Sequence, residues 1–256
     1  MSFKLIDTHA HLNDVEDITA ALTRAKQAGV STIVAQGVDL ASNKKNLEIK
    51  QKFSDMDIRL AFGIHPGNIS DKEIEETFEF IRDHKSDIVA IGETGLDFWY
   101  QWVRKDDEEK KKQKEIFTRQ IDLAQEFEMP IVIHSRGAWK ECFSIAEEKN
   151  VERAVFHWYS GPEDALKNIL NKGYFISATP ALGYSKELRA AIEFAPMDQI
   201  LIETDTPVFF RVEDGGFQSE PKDVFKTLGF LSEIKNIDLE KAANLLNQNA
   251  EKVFGK

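Results

Sequence analysis

Eight short β-type runs, each followed by a stretch with helical periodicity, constrain this chain more than any other feature. The runs fall at residues 4–8, 32–36, 59–63, 89–92, 131–134, 154–157, 174–178 and 200–204. Most are continuous apolar segments such as Ile131-Val132-Ile133, the pattern of strands covered on both faces. Between them the period lengthens. Ile74, Phe78 and Ile81 stand at i, i+4 and i+7, and Ile116, Gln120, Leu123 and Phe127 hold a second stripe with one polar interruption. Gly29 and Gly173 each sit between a helix and the next strand, where a left-handed cap is expected. Eight β-then-α units predict one α/β domain over residues 1–256, a single (β/α)8 TIM barrel, with a doubly wound open sheet as the alternative. Beyond the eighth strand, Asp238 reads as an N-cap, and Leu239, Ala242, Leu246, Ala250 and Val253 form one apolar stripe. Additional C-terminal helices are therefore expected to seal the barrel wall or base.

Composition narrows the setting. No apolar run approaches the roughly 18 residues of a membrane span, and the start, Met1-Ser2-Phe3-Lys4-Leu5-Ile6-Asp7, lacks the basic and apolar regions of a secretory leader. The single Cys142 excludes an internal disulfide framework and suits a reducing cytoplasm; its place in a predicted helix over 139–149 gives it a packing role. The net charge of −11 argues against a broad grip on duplex DNA, yet bound cations can reverse the field locally. The charge run at 104–114 reads as a solvated helix entry. No membrane association and no obligate protein partner are expected.

The chemistry lies at the strand ends. His9 and His11 end the first run, and residues two apart on a strand share a face, so both imidazoles can reach one ion. Glu93 follows Ile91-Gly92, His134 follows Ile133, His157 follows Val155-Phe156, and Asp205 stands one step past the last run. Only His65 and His84 fall outside this set, His84 on a predicted helix face toward solvent. The C-terminal rim of a barrel is where such enzymes place their reacting groups. Six ligands exceed the three of a catalytic zinc site and suit two divalent ions about 3.5–4 Å apart. Spacing places His9, His11, Glu93 and Asp205 around one ion and Glu93, His134 and His157 around the other, with Glu93 bridging. Zinc, manganese and magnesium all remain open.

As an ordered set, Asp7-Thr8-His9-Ala10-His11, Gly63-Ile64-His65-Pro66, Gly92-Glu93-Thr94-Gly95-Leu96-Asp97, His134-Ser135-Arg136, His157-Trp158-Tyr159-Ser160-Gly161 and Glu203-Thr204-Asp205-Thr206-Pro207 resemble the motifs of the TatD family, metal-dependent deoxyribonucleases of the amidohydrolase superfamily. The resemblance implies the barrel, a divalent-metal pair and hydrolysis of DNA phosphodiesters, often trimming 3′ ends. Many members carry Cys-Phe at the Trp158-Tyr159 position and an aliphatic residue at Thr94, departures that bear on substrate preference rather than hydrolysis. Asp205 is expected to act as general base beside Glu93, with His65 and Arg136 on the phosphate and Trp158 and Tyr159 stacking on unpaired bases. All four tryptophans, Trp99, Trp102, Trp139 and Trp158, follow ligand-bearing strands and with Tyr100 and Tyr159 could stack unpaired bases, and a loop-pinning apolar cluster is the competing reading for Trp99 and Trp139. The expected substrate is DNA at strand ends or in single strands. Two alternatives stand: a two-metal amidohydrolase acting on an ester such as D-aminoacyl-tRNA, and a metal-binding protein without catalysis.

Overall fold

A computed structural model describes residues 3–212 and 215–255; Met1 and Ser2, the first residues of the expected leader-free start, lie outside it. Among the described residues, eight parallel strands run in sequence order, each hydrogen-bonded to the next: β1 (Leu5–Ala10), β2 (Val30–Gln36), β3 (Asp57–Phe62), β4 (Ile88–Gly95), β5 (Ile131–His134), β6 (Ala154–Phe156), β7 (Phe175–Ala178) and β8 (Ile200–Ile202). The helices between them are α1 (Ile18–Ala28), α2 (Leu40–Lys52), α3 (Ile74–Asp83), α4 (Asp107–Phe127), α5 (Trp139–Glu148), α6 (Glu163–Asn171) and α7 (Lys186–Phe194); α8 (Val224–Lys235) and α9 (Leu239–Phe254) follow β8. This is a (β/α)8 TIM barrel with additional C-terminal helices. The ring closes just beyond β8, where Asp205 N donates to His9 O at 2.9 Å and His11 N to Thr206 O at 2.8 Å.

Strand alternation divides the core into two layers. Ile33 and Ala35, Leu60 and Phe62, Ile131 and Ile133, and Ala154 and Phe156 face the helices. The residues between them, Val34, Ala61, Val132 and Val155, join Ile6 and Leu201 in a separate interior cluster. Ala250, Val253 and Phe254 at the end of α9 belong to that inner cluster, so the last helix plugs the base of the barrel. Asp238 caps it by accepting from Glu240 N and Lys241 N.

Local signals explain the rest. Gly29 ends α1 at φ +101°, and Gly173 follows α6 at φ +84°, both in the left-handed region. Asp106 caps α4, and the run that follows is largely exposed, as a solvated helix entry requires. Gln120, the polar interruption in the α4 stripe, is buried and holds Ile64 through its backbone N and O at 2.7 and 3.0 Å. His84 departs from expectation: it ends α3, half-buried, with its ring stacked on Phe80. A hairpin of β9 (Phe209–Val212) and β10 (Gly215–Gln218), absent from the sequence reading, follows β8. No helix among the described residues is long and apolar enough to cross a membrane.

Candidate metal centre

The C-terminal ends of the strands surround a cavity of about 680 Å³ whose lining includes His11, His65, Glu93, His134, His157 and Asp205. Strand limits differ slightly from the sequence reading. β1 continues through His9 to Ala10, and β4 continues through Glu93 to Gly95, with register shifts in both. β8 stops at Ile202, so Asp205 stands three residues past it, in a left-handed turn at φ +50°. Two glycines permit the close packing. A Cβ on Gly63 would fall 2.7 Å from the carbonyl oxygen of Glu93, and one on Gly95, at φ +136°, would fall 2.0 Å from that of His134.

Six expected donors converge. Glu93 Oε2 lies 3.3 Å from His9 Nε2 and 3.4 Å from His11 Nε2. Asp205 Oδ1 lies 3.5 and 3.1 Å from the same two nitrogens, which are 3.3 Å from each other. The other oxygen of Glu93, Oε1, is 2.8 Å from both His134 Nδ1 and His157 Nε2, themselves 3.3 Å apart.

These donors fit a divalent cation. Separations of 3.1–3.5 Å are those between ligand atoms that each stand about 2 Å from a shared tetrahedral ion, the length of zinc–nitrogen and zinc–oxygen bonds. Asp205 Oδ1 is buried with no well-directed hydrogen bond, its near neighbours including the ring nitrogens of His11 and His9 at 3.1 and 3.5 Å, and a cation between them would satisfy it. The ionisation pattern agrees. Burial opposes charge on His11, but Asp205 and Glu93 outweigh it and raise its imidazole to about 9. His134 and His157 are also raised against burial, His134 by hydrogen bonds to Asp97 and Glu93, His157 by the negative charge of Glu93 and by Glu203. Glu93 is held well below the usual carboxylate range despite burial, and Asp205 at about 2. A field that holds protons on three histidines also favours a metal cation in their place. His9, the most enclosed, is instead lowered, by burial above all.

Three carboxylates that the sequence reading gave no role hold these donors in place. Asp97 Oδ2 lies 2.8 Å from His134 Nε2 and accepts from Arg136 Nε at 2.8 Å. Glu203 Oε1 accepts from Trp158 N at 3.0 Å and lies 3.4 Å from His157 Nδ1. Carboxylates on the far nitrogens of His134 and His157 leave the near nitrogens turned to Glu93. Asp7 accepts from Thr204 N at 2.9 Å and Thr204 Oγ1 at 2.6 Å, fixing the turn that carries Asp205. The available signal was an acidic residue within an apolar strand context, as in Leu5-Ile6-Asp7 and Leu201-Ile202-Glu203, which can be buried only with partners.

The expected substrate contacts separate. His65 Nδ1 accepts from Gly67 N at 2.9 Å, so the neutral ring carries its proton on Nε2, 3.6 Å from Glu93 Oε1. Burial keeps that ring neutral, lowering it to about 3. Arg136 is half-exposed on the cavity wall, and Trp158 lines the cavity with its indole against Phe210. Tyr159 contradicts the expectation: its side chain is fully buried, its hydroxyl donates to Pro162 O at 2.7 Å, and no base can reach it. Its neighbour Trp158 turns the opposite way because residue 158 adopts φ +42°. Cys142 is buried in α5, where burial pushes its thiol up and leaves it the packing role expected.

The profile of the TatD related DNase family matches residues 6–255. An uncharacterized metal-dependent hydrolase of Methanocaldococcus jannaschii is 31% identical over 256 residues, covering 98% of this chain and 97% of its own. Deoxyribonuclease TATDN3 of Homo sapiens is 26% identical over 264 residues, covering 98% of this chain and 95% of its own. The crystal structure of a TatD homolog from Escherichia coli aligns with a TM-score of 0.88 at 25% identity, over 100% of both chains. With the barrel, the converging donors and a family match across nearly its whole length, the chain belongs to the TatD family and is a metal-dependent hydrolase.

Proposed function

We propose that this hydrolase cleaves DNA phosphodiester bonds at strand ends, trimming from the 3′ end and preferring unpaired strands, with two divalent ions bridged by Glu93. The observation that carries the reading is the division of Glu93, with Oε2 turned to His9 and His11 and Oε1 to His134 and His157. On this reading His9, His11, Glu93 and Asp205 would hold one ion, and Glu93, His134 and His157 would hold the other. When bound, such a pair supplies Lewis acidity at a phosphoryl oxygen and lowers the pKa of water.

The chain's own groups do the rest. Asp205 is ionised at neutral pH and opens on the cavity, placed to orient the attacking water and accept its proton. His65 presents an Nε2–H donor, and Arg136, with Nε and Nη2 both held by Asp97 Oδ2 at 2.8 Å, keeps its remaining N–H groups for a phosphate oxygen. Trp158 supplies an aromatic face in the cavity wall. Arg136 is the only lysine or arginine among the described lining residues, which favours a short phosphate footprint over a long duplex track. A buried lone Cys142 suits action in a reducing cytoplasm.

The test is a time course with chelator-stripped protein resupplied with zinc, manganese or magnesium. Single strands and blunt duplexes labelled at either end are the substrates, and a D-aminoacyl ester is assayed alongside. The reading expects stepwise shortening from the 3′ end, fastest on single strands and abolished by chelator. Internal duplex cutting, or hydrolysis of the ester alone, contradicts it.

A further inference from the structure

Trp99 and Trp102, in the segment between β4 and α4, are 65% and 49% exposed, the two largest side chains among the exposed apolar residues described. Indoles left in water on a solvated surface mark an interaction site when they are held rigidly and grouped. These are held. Asp97 Oδ1 accepts from Trp99 N at 2.9 Å and from Tyr100 N at 3.3 Å. Phe98 N donates to Arg136 O at 3.0 Å, and Val103 N and Arg104 N both donate to Tyr100 O. The Trp99 ring lies over Gly137, where a Cβ would come within 2.2 Å of it.

The rings are also grouped. The Arg136 guanidinium lies over the Tyr100 ring at 5.0 Å, and Tyr100 stacks on Trp102 at 5.4 Å with planes 15° apart. Planar groups thus run from Arg136 and Tyr100 in the cavity wall to the exposed Trp102. One carboxylate, Asp97, anchors Arg136, His134 and the backbone of this segment together.

We infer that Trp99, Tyr100 and Trp102 form a stacking platform for an unpaired nucleotide of the substrate strand, adjacent to the phosphate that meets Arg136. The inference rests on the nucleic-acid reading above and adds a subsite to it. Continuity with Arg136 selects this occupant, because the guanidinium serves the phosphate and the exposed indoles, with Trp102 backed by Tyr100, offer faces to the neighbouring base. The charge balance points the same way: with one arginine in the cavity lining, base faces must supply affinity that lysine-rich grooves draw from phosphates. A paired base has no free face to offer, so the platform favours unpaired strands over duplex.

The experiment is equilibrium binding, by fluorescence anisotropy, of the zinc-loaded protein to a phosphorothioate-linked single strand that resists cleavage. The same strand with abasic sites near its 3′ end is the comparison. Abasic substitution is expected to weaken binding between about five- and 150-fold, the range for one stacked base. Trp102→Ala is expected to weaken binding to the intact strand within the same range, while abasic substitution costs that variant little more. Trp102→Phe, which keeps a ring, should recover much of the loss. Equal binding of intact and abasic strands, additive penalties from the variant and the abasic site, or no binding of the single strand each overturns the platform. DNA hydrolysis by the same preparation is scored separately, so a failed platform and a failed deoxyribonuclease reading give different results.

Discussion

At the base of the barrel, Ile6, Val34, Ala61, Val132, Val155 and Leu201 meet Ala250, Val253 and Phe254 of α9 in an apolar plug. At the mouth, a few residues further along several of the same strands, the side chains are His9, Glu93, His134, His157 and Asp205. The two ends share their backbone ring and differ in what they bury. The base removes apolar surface from water, a net gain of roughly 25 cal/mol per Å². The mouth encloses ionisable groups, which is unfavourable unless each has a partner. Stability and chemistry are therefore separable along the barrel axis, and substitutions at the two ends should act on different observables.

The sharpest break is at the mouth. Asp205→Asn is expected to lower turnover of metal-loaded protein by about 10²–10⁴-fold, the range for a lost acid–base group. Its melting curve should stay close to that of the parent. Near-parental turnover with metal bound would remove Asp205 from the reaction. Phe254→Ala tests the opposite end. A truncated core phenylalanine typically costs about 3–5 kcal/mol, so the denaturation midpoint should fall markedly while kcat of the folded, metal-loaded protein changes little. A comparable fall in kcat would show that the two ends are coupled.

A smaller effect is expected at the rim. Arg136→Ala should raise KM for single-stranded DNA about tenfold, in keeping with loss of a charged hydrogen bond, with a lesser change in kcat. An unchanged KM would leave Arg136 with only its ion pair to Asp97. The mildest test is pH. Burial opposes charge on His11, yet Asp205 and Glu93 raise its imidazole to about 9. A raised pKa stabilises the folded state fully below about 6.5, and that contribution fades as pH rises through 9. Chelated protein should therefore lose part of its melting temperature over this window. Metal-loaded protein should not, because the cation takes the place of the proton. Parallel pH profiles for the two forms would contradict that exchange.

The base and the mouth were unequally legible in the sequence. All eight barrel strands could be located because buried parallel strands are written as unbroken apolar runs, and the α9 stripe announced the plug. The converging donors could be collected because strand ends of a barrel meet in space. What escaped was set by tertiary partners. Asp97 and Glu203 read as motif letters until their hydrogen bonds to Arg136 and Trp158 appeared. Tyr159 adjoins the mouth in sequence, yet the left-handed turn at Trp158 sends it into the core. Trp99 could not be told from a loop-pinning residue, since exposure is a property of packing and not of residue type. The β9–β10 hairpin is two four-residue strands, too short for periodicity to reveal.

The central claim is that Glu93 serves two ions at once. Metal content of protein purified and reloaded with manganese, read with the electron paramagnetic resonance of the bound metal, tests it most directly. The account predicts about two ions per chain with the spectrum of a spin-coupled pair, and loss of that coupling in Glu93→Gln. A single uncoupled ion per chain at saturating manganese, with full activity, would contradict it.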